Sequence, residues 1–308
     1  MNLRVVFMGT PEFSVPTLVA LYSGFHVIGV VTQPDKPKGR GLRIVPTAVK
    51  KKALELNLPV IEPPRIAAPE VLEVLAQWRP DIIVVAAYGK ILPESILQLP
   101  PKGCVNLHAS LLPRHRGAAP ISGAIIAGDT VTGVCTILMD SGMDTGDVLL
   151  KEEVPINDED TAGTLHDKLM ERGASLIVDT LRAITEKTIR PVPQDHSLVT
   201  YTRLVTKEDG IIDWDNDAQY LGRLVRAMNP WPGAFFKLSD ETIRVWEATS
   251  EAGLGVPGKV TSLRGDGILV GTGNGMLLLR EVQAPSRNRV AAIEFARARD
   301  IRTGDALR

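Results

Sequence analysis

The chain has 308 residues, 44% hydrophobic and 23% charged, with 35 Lys and Arg against 36 Asp and Glu. This is the balance of a globular chain long enough for about two domains. The net charge of −1 excludes a whole-molecule field that gathers a polyanion, so any such site has to be a local patch. No run reaches the ~18 apolar residues of a membrane span. The opening MNLRVVFMGTPEF lacks the h-region and cleavage site of a secretory signal, so none is expected. The two cysteines, Cys104 and Cys135, form no CxxC pair and sit in apolar runs. They read as buried free thiols of a protein from a reducing cytoplasm.

In chain order, residues 3–8 (LRVVFM) read as a buried strand, 11–22 as a short helix and 26–32 as the next strand. The following QPDKPKGRGLR sets Lys36, Lys38, Arg40 and Arg43 among prolines and glycines against one acid, Asp35. It reads either as a solvated mobile loop or as a phosphate-contacting loop that orders on binding. Helices are predicted over 46–56 and 69–78, and strands over 81–87, 104–108 and 132–139. Near-continuous apolar strands alternating with helices predict an α/β domain with an open parallel sheet, covered on both faces and joined by right-handed crossovers. Residues 159–188 carry the apolar spacing of a long amphipathic helix, and 190–206 are polar, proline-containing and without a period, as in a linker. A helix over 216–227 and the turn NPWPGAF then lead to short strands at 242–248, 258–263, 266–272 and 275–282, followed by a helix over 290–299. The Gly-rich turns between these strands predict a small barrel or sandwich. The expected domains are 1–189 and 207–308, joined by 190–206.

Asn106 and His108 close the strand CVNLH. Residues i and i+2 of a strand share a face, and ligands of open parallel sheets bind beyond the strands' carboxyl ends. Taken alone, the pair is also compatible with a polar strand end whose hydrogen bonds are satisfied. The segment DSGMDTGD (140–147) follows the next predicted strand. Because sequential parallel strands tend to be neighbours, it is expected to bring Asp140, Asp144 or Asp147 to the same rim. A carboxylate beside an imidazole favours the charged ring and orients it, and an asparagine supplies a neutral donor. That set suits a developing oxyanion and the proton that moves with it. No GxSxG, HExxH or clustered Cys/His spacing occurs, so no metal is expected and the nucleophile has to come from a substrate, as when an amine attacks a carbonyl. The first turn, FMGTPEF, lacks GxGxxG, which disfavours NAD. Residues 207–308 hold 14 basic and 14 acidic side chains, but 280–308 hold seven arginines against four acids, a possible local arginine face.

NLHASLLPRHRGAAPI, with its Asn-x-His before Ser-Leu-Leu-Pro, resembles the signature of the folate-dependent formyltransferases, and MDSGMDTGD is similar to that family's companion loop. FMGTPEFSVPTL, TQPDKPKGRG, AAYGKILP and NPWPGAF extend the resemblance nearly end to end. It implies a Rossmann-like catalytic domain with a parallel sheet, followed by a small OB-like β-barrel that contacts tRNA. It implies 10-formyltetrahydrofolate as the cosubstrate, and the methionine α-amino group on initiator tRNA as the acceptor, in translation initiation. Carried over by position, Asn106, His108 and Asp144 match the catalytic trio. Ser110, Leu111, Leu112 and Pro113 match the folate-binding segment, and Ala87, Tyr88, Gly89, Ile91 and Leu92 the wall beside the pterin. Arg40 matches the arginine that reaches the acceptor end of the tRNA, with Lys36, Lys38, Arg43 and Arg114 as further RNA contacts. The chain departs from the family at His115, where relatives usually carry a large aromatic. The family implies a monomer without metal or membrane. A formyltransferase for a small amine, such as a sugar nucleotide, and a formyl-folate hydrolase are the neighbouring alternatives.

Overall fold

The computed structural model describes residues 3–38 and 43–307. The chain divides into two compact units, one made of residues 1–120, 131–155 and 166–202, the other of 121–130, 156–165 and 203–308. In chain order, the elements up to residue 202 are β1 (Arg4–Gly9), α1 (Val15–Gly24), β2 (His26–Val31), β3 (Lys36–Lys38), β4 (Arg43–Val45), α2 (Ala48–Glu55), β5 (Val60–Ile61), α3 (Pro69–Trp78), β6 (Ile82–Ala86), α4 (Glu94–Leu97), β7 (Cys104–His108), β8 (Arg116–Gly117), α5 (Pro120–Ala127), β9 (Val131–Leu138), β10 (Asp147–Pro155), α6 (Ala162–Glu186) and β11 (Tyr201–Thr202).

The first unit is organised on a seven-stranded sheet in the order β10-β9-β7-β6-β1-β2-β5. From β7 to β5 every pairing is parallel. β6 is buried along its whole length and β1 at all but its first residue. Their Val and Ile side chains each contribute about 1.5–3 kcal/mol by leaving water, and β-branching suits the pleated surface they pack on. Thr47 starts α2 by accepting from the Lys50 N–H at 3.0 Å, a cap worth about 1 kcal/mol.

The direction of β9 corrects the sequence reading. β9 runs antiparallel to β7, with Val105 opposite Leu138 and His108 opposite Cys135. An apolar run buried over six consecutive residues reads the same in both directions, so its composition carries no sign of polarity. The aspartate loop therefore leaves β9 at the amino end of β7. β10, antiparallel to β9, is absent from the predicted strands because its charges and the bulge between Val148 and Leu150 obscure the alternation.

Residues 190–202, the first part of the expected linker, lie with the first unit. Val192 exchanges both main-chain hydrogen bonds with Val148, at 2.8 and 2.9 Å. β11 runs parallel to β8, with Arg116 N donating to Thr200 O at 2.9 Å and Ala118 N to Thr202 O at 3.1 Å.

The second unit contains α7 (Ala218–Ala227), β12 (Ala234–Leu238), β13 (Glu241–Glu251), β14 (Val260–Arg264), β15 (Gly267–Gly271), β16 (Met276–Gln283), β17 (Val290–Ala291) and α8 (Ala292–Ala298). Its sheet is antiparallel in the order β12-β13-β16-β15-β14, with β17 on β16. α7 is capped by Asp217, which accepts from Gln219 N at 2.7 Å, and it buries Leu221, Leu224 and Val225 along one stripe. In the arginine-biased tail, Arg280 pairs with Asp266, Arg289 with Glu281 and Arg299 with Glu241, and the Arg289 guanidinium also lies 3.7 Å from the Trp246 ring centroid. No helix among the described residues is long and apolar enough to cross a membrane. Cys104 and Cys135 are free and buried, and burial pushes both thiols up to about 12.

Candidate active site

Because β1, β6 and β7 run in parallel, their last residues, Gly9, Ala86 and His108, share one rim of the sheet. Asn106 and His108 lie on the same face of β7. Asn106 is half-buried, and its amide makes no hydrogen bond among the described residues. His108 is 6% exposed, and its Nε2 lies 3.1 Å from the carbonyl oxygen of His115. A carbonyl only accepts, so Nε2 carries the hydrogen and Nδ1 is left to gain or lose a proton. Nδ1 faces Asp144 Oδ1 at 3.6 Å.

Asp144 reaches this position although its loop leaves the sheet at the far end of β7. Its other carboxylate oxygen accepts from Gly117 N at 2.8 Å. Its backbone adopts the left-handed region, at φ 55°, which Asp tolerates better than most residues. Its carbonyl accepts from Gln194 Nε2 at 2.8 Å, and the same amide donates to Gly146 O at 2.7 Å. Gln194 Oε1 in turn accepts from Arg116 Nη2 at 2.7 Å and Nε at 3.2 Å. Asp140 instead closes its own turn, accepting from Gly142 N at 3.0 Å, and Asp147 opens β10. Of the three aspartates, Asp144 is the one brought to His108.

Next to this centre, Ala87 and Gly89 have φ values of 46° and 78°. The Tyr88 carbonyl accepts from Thr10 Oγ1 at 3.0 Å and from Gln33 Nε2 at 2.8 Å. The main-chain N–H groups of residues 89–92 make no hydrogen bond among the described residues. Ile91 is 71% exposed, while Tyr88 and Leu92 are buried. The Tyr88 hydroxyl is buried without a partner among the described residues, and burial pushes the phenol up to about 12. Across from this wall, Ser110 Oγ donates to Arg114 O at 2.7 Å. Leu112 packs with Cys135 and Ile137, and Leu111 and Pro113 are half-buried.

The basic segment lies further along the rim. Lys38 and Arg43 are paired in register on β3 and β4, and exposed Lys36 donates to Gln33 Oε1 at 3.0 Å. Arg40 lies outside the described residues, and Arg114 is exposed on the other loop. A cavity of about 450 Å³ opens here, lined by Thr10, Gln33, Lys36, Val45 and Thr47 among others. β1 and β2 stand two and three strands from β7, which places the cavity roughly 10–14 Å along the rim. In the same segment Lys50 pairs with Asp35 at 2.6 Å and Glu62 at 2.7 Å. Lys50 holds the Asp35 carboxyl below its usual value, and the two acids raise the Lys50 ammonium.

Sequence reasoning missed Gln194 and Thr200, and read Arg116 as a basic loop residue beside the site although it is 1% exposed and donates to Gln194. Thr200 Oγ1 accepts from the N–H of His115 at 2.8 Å, and His115 itself is left-handed at φ 57°. The one available signal was the polar character of Gln194 and Thr200 in a stretch without a period.

Residues 1–181 match the model of the formyl transferase family, and residues 204–300 that of the formyl transferase C-terminal domain. A methionyl-tRNA formyltransferase of Desulforamulus reducens is 45% identical over 309 residues, covering 99% of this chain and 98% of that one. Another, from Geobacter metallireducens, is 45% identical over 295 residues, covering 96% and 95%. Among solved structures, an N-formyltransferase of Helicobacter canadensis in complex with folinic acid and dTDP-3-aminofucose superposes with a TM-score of 0.67 at 16% identity, covering 92% of this chain and 100% of that one. Two matched family models and near full-length identity of 45% leave one assignment: the chain belongs to the formyl transferase family.

Proposed function

We propose that the chain transfers the formyl group of 10-formyltetrahydrofolate to the α-amino group of methionine on initiator tRNA. The observation that carries this reading is the meeting of Asn106, His108 and Asp144 at the sheet rim, in a chain 45% identical to relatives named methionyl-tRNA formyltransferase. On the same reading it works as a monomer in the cytoplasm.

The residues present fit a reduced folate. The free N–H groups of residues 89–92, on a wall bent by two left-handed residues, offer main-chain donors to a ring edge. Exposed Ile91 and the Leu111–Pro113 turn offer apolar surface to its faces. When bound, the formyl-folate supplies an activated formyl carbon to the attacking amine.

The chain's own groups carry charge and proton. The Asn106 amide, committed to no other described residue, is free to donate to the formyl oxygen as negative charge develops there. A preorganised donor of this kind contributes on the order of 10²–10³ in rate. His108 holds its ring through Nε2, so its Nδ1 and the Asp144 carboxylate form adjacent acceptors for the proton the amine releases, and can return it to the folate nitrogen as that nitrogen's bond to the formyl carbon breaks. Asp144 also stabilises the ring once it is charged. Lys36, Lys38, Arg40, Arg43 and Arg114 supply the local positive charge for RNA phosphates that the net charge of −1 does not provide.

A transfer assay tests the reading. The purified protein is mixed with 10-formyltetrahydrofolate and methionyl initiator or elongator tRNA, and formyl-methionine is followed. Formylation confined to the initiator is expected. Folate consumption without formyl-methionine would instead favour hydrolysis or a small-amine acceptor.

A further inference from the structure

Both ring nitrogens of His108 face residues in left-handed conformations, His115 at φ 57° and Asp144 at φ 55°. Neither is glycine, so each conformation costs about 1 kcal/mol or more unless its surroundings hold it. The same stretch of chain holds both. Thr200 Oγ1 accepts from the His115 N–H at 2.8 Å, and Gln194 Nε2 donates to the Asp144 carbonyl at 2.8 Å.

We propose that Gln194 and Thr200 are positioning residues for formyl transfer, and that residues 190–202 complete the reaction centre rather than serve as a simple linker. The proposal rests on the catalytic reading of His108 and Asp144 given above.

Gln194 is suited to this role in a way other residues are not. It is 7% exposed, and both ends of its amide are used. Its NH2 group donates to two carbonyls of the aspartate loop, Asp144 O and Gly146 O, while its oxygen accepts twice from Arg116. Arg116 is 1% exposed, and its buried guanidinium fixes the amide's orientation, because only oxygen can face it. The amide is thereby obliged to point its donors at the loop. The same segment also packs closely on Gly117, whose N–H donates to Asp144 Oδ2: a Cβ added there would clash with the Thr202 carbonyl oxygen.

Gln194→Glu separates positioning from packing. The glutamate keeps the volume and strengthens the contact with Arg116, but it turns a donor pair into an acceptor facing two carbonyls. We expect kcat to fall about tenfold or more, the effect of losing a buried hydrogen bond at the reacting geometry. KM for folate and for tRNA is expected to stay near that of the unmodified chain, while the melting temperature falls because two buried carbonyls lose their donor. In the Asp144→Asn background the same change is expected to cost little more, because the group being positioned has already lost its charge. Thr200→Val is expected to lower kcat, and Thr200→Ser to restore it. If Gln194→Glu unfolds the chain, the Thr200 pair decides alone. Unchanged kcat in Gln194→Glu or Thr200→Val while Asp144→Asn is inactive would overturn the positioning role and leave the catalytic reading standing. Fully multiplicative losses in the double variant would also overturn it. Full activity of Asp144→Asn would overturn the catalytic reading, and the positioning role with it.

Discussion

Two stretches of the same sheet rim are built in opposite ways. Around His108 the polar contacts are partly buried and join residues 50 and 85 positions apart in the chain, as Gln194 with Asp144 and Thr200 with His115. Around the β3–β4 pair the contacts join residues closer in the chain: Lys36 reaches Gln33, three residues away, and Lys50 reaches Asp35, fifteen away. The difference matches the part each region plays in the proposed reaction. Proton transfer and charge stabilisation need atoms placed to within a few tenths of an ångström, so each is fixed from several sides. Phosphates of a long RNA are met by point charges on flexible stems, where solvent and salt share the work.

The largest expected effect breaks the first region at its centre. His108→Ala is expected to lower single-turnover formyl transfer by about 10²–10⁴ while folate affinity changes little; near-normal transfer would show that the ring is only a buried strand-end residue. Asn106→Ala is expected to lower kcat by about 10²–10³. Its side chain is bonded to no described residue, so urea unfolding is expected to stay within about 0.5 kcal/mol. A large loss of stability there would make Asn106 a structural residue.

Smaller effects sharpen the second region. Arg40→Ala and Lys36→Ala are each expected to raise KM for the tRNA with folate binding intact. Each is also expected to lessen the slope of log affinity against log salt by about one. An unchanged slope would remove that side chain from the phosphate contacts. The smallest effect belongs to Lys50→Gln. The Asp35 carboxyl is held low by Lys50, so its stabilisation is present above the ordinary carboxylate value near ~3.9 and is lost as pH falls through the lowered one. The raised Lys50 ammonium stabilises fully below the ordinary lysine value near ~10.4 and loses that contribution as pH rises through the raised one. The variant is therefore expected to melt below the unmodified chain at pH 7, with the difference shrinking as pH falls through the lowered Asp35 value, as followed by calorimetry. A pH-independent difference would assign the effect to packing.

The fold was legible where burial is continuous. β7 occupies the predicted 104–108, and α3 the predicted 69–78, because a run of apolar residues or a stripe at helical spacing is itself the cause of the element. The polarity of β9 was not legible, since uniform burial has no direction. Nor was β10, whose charged residues alternate around a bulge. At the site, Asn106 and His108 stand together because a strand's period is two. The companion loop was legible only as an aspartate-rich turn, because the route by which Asp144 reaches His108 depends on the antiparallel β9. The contribution of residues 190–202 lies in single side-chain-to-backbone bonds across long separations, and such bonds leave no periodic trace.

Residues 190–202 also have a meaning in time. A chain leaves the ribosome in order, at about 5–20 residues per second. The fifty residues between Asp144 and Gln194 correspond to a delay of roughly 3–10 s. Throughout that interval the parallel strands of the sheet are complete, but neither left-handed neighbour of His108 has its bond from residues 190–202. On the proposed reading, the wall at residues 87–92 is synthesised before the last contacts of the reaction centre, which wait for Gln194 and Thr200.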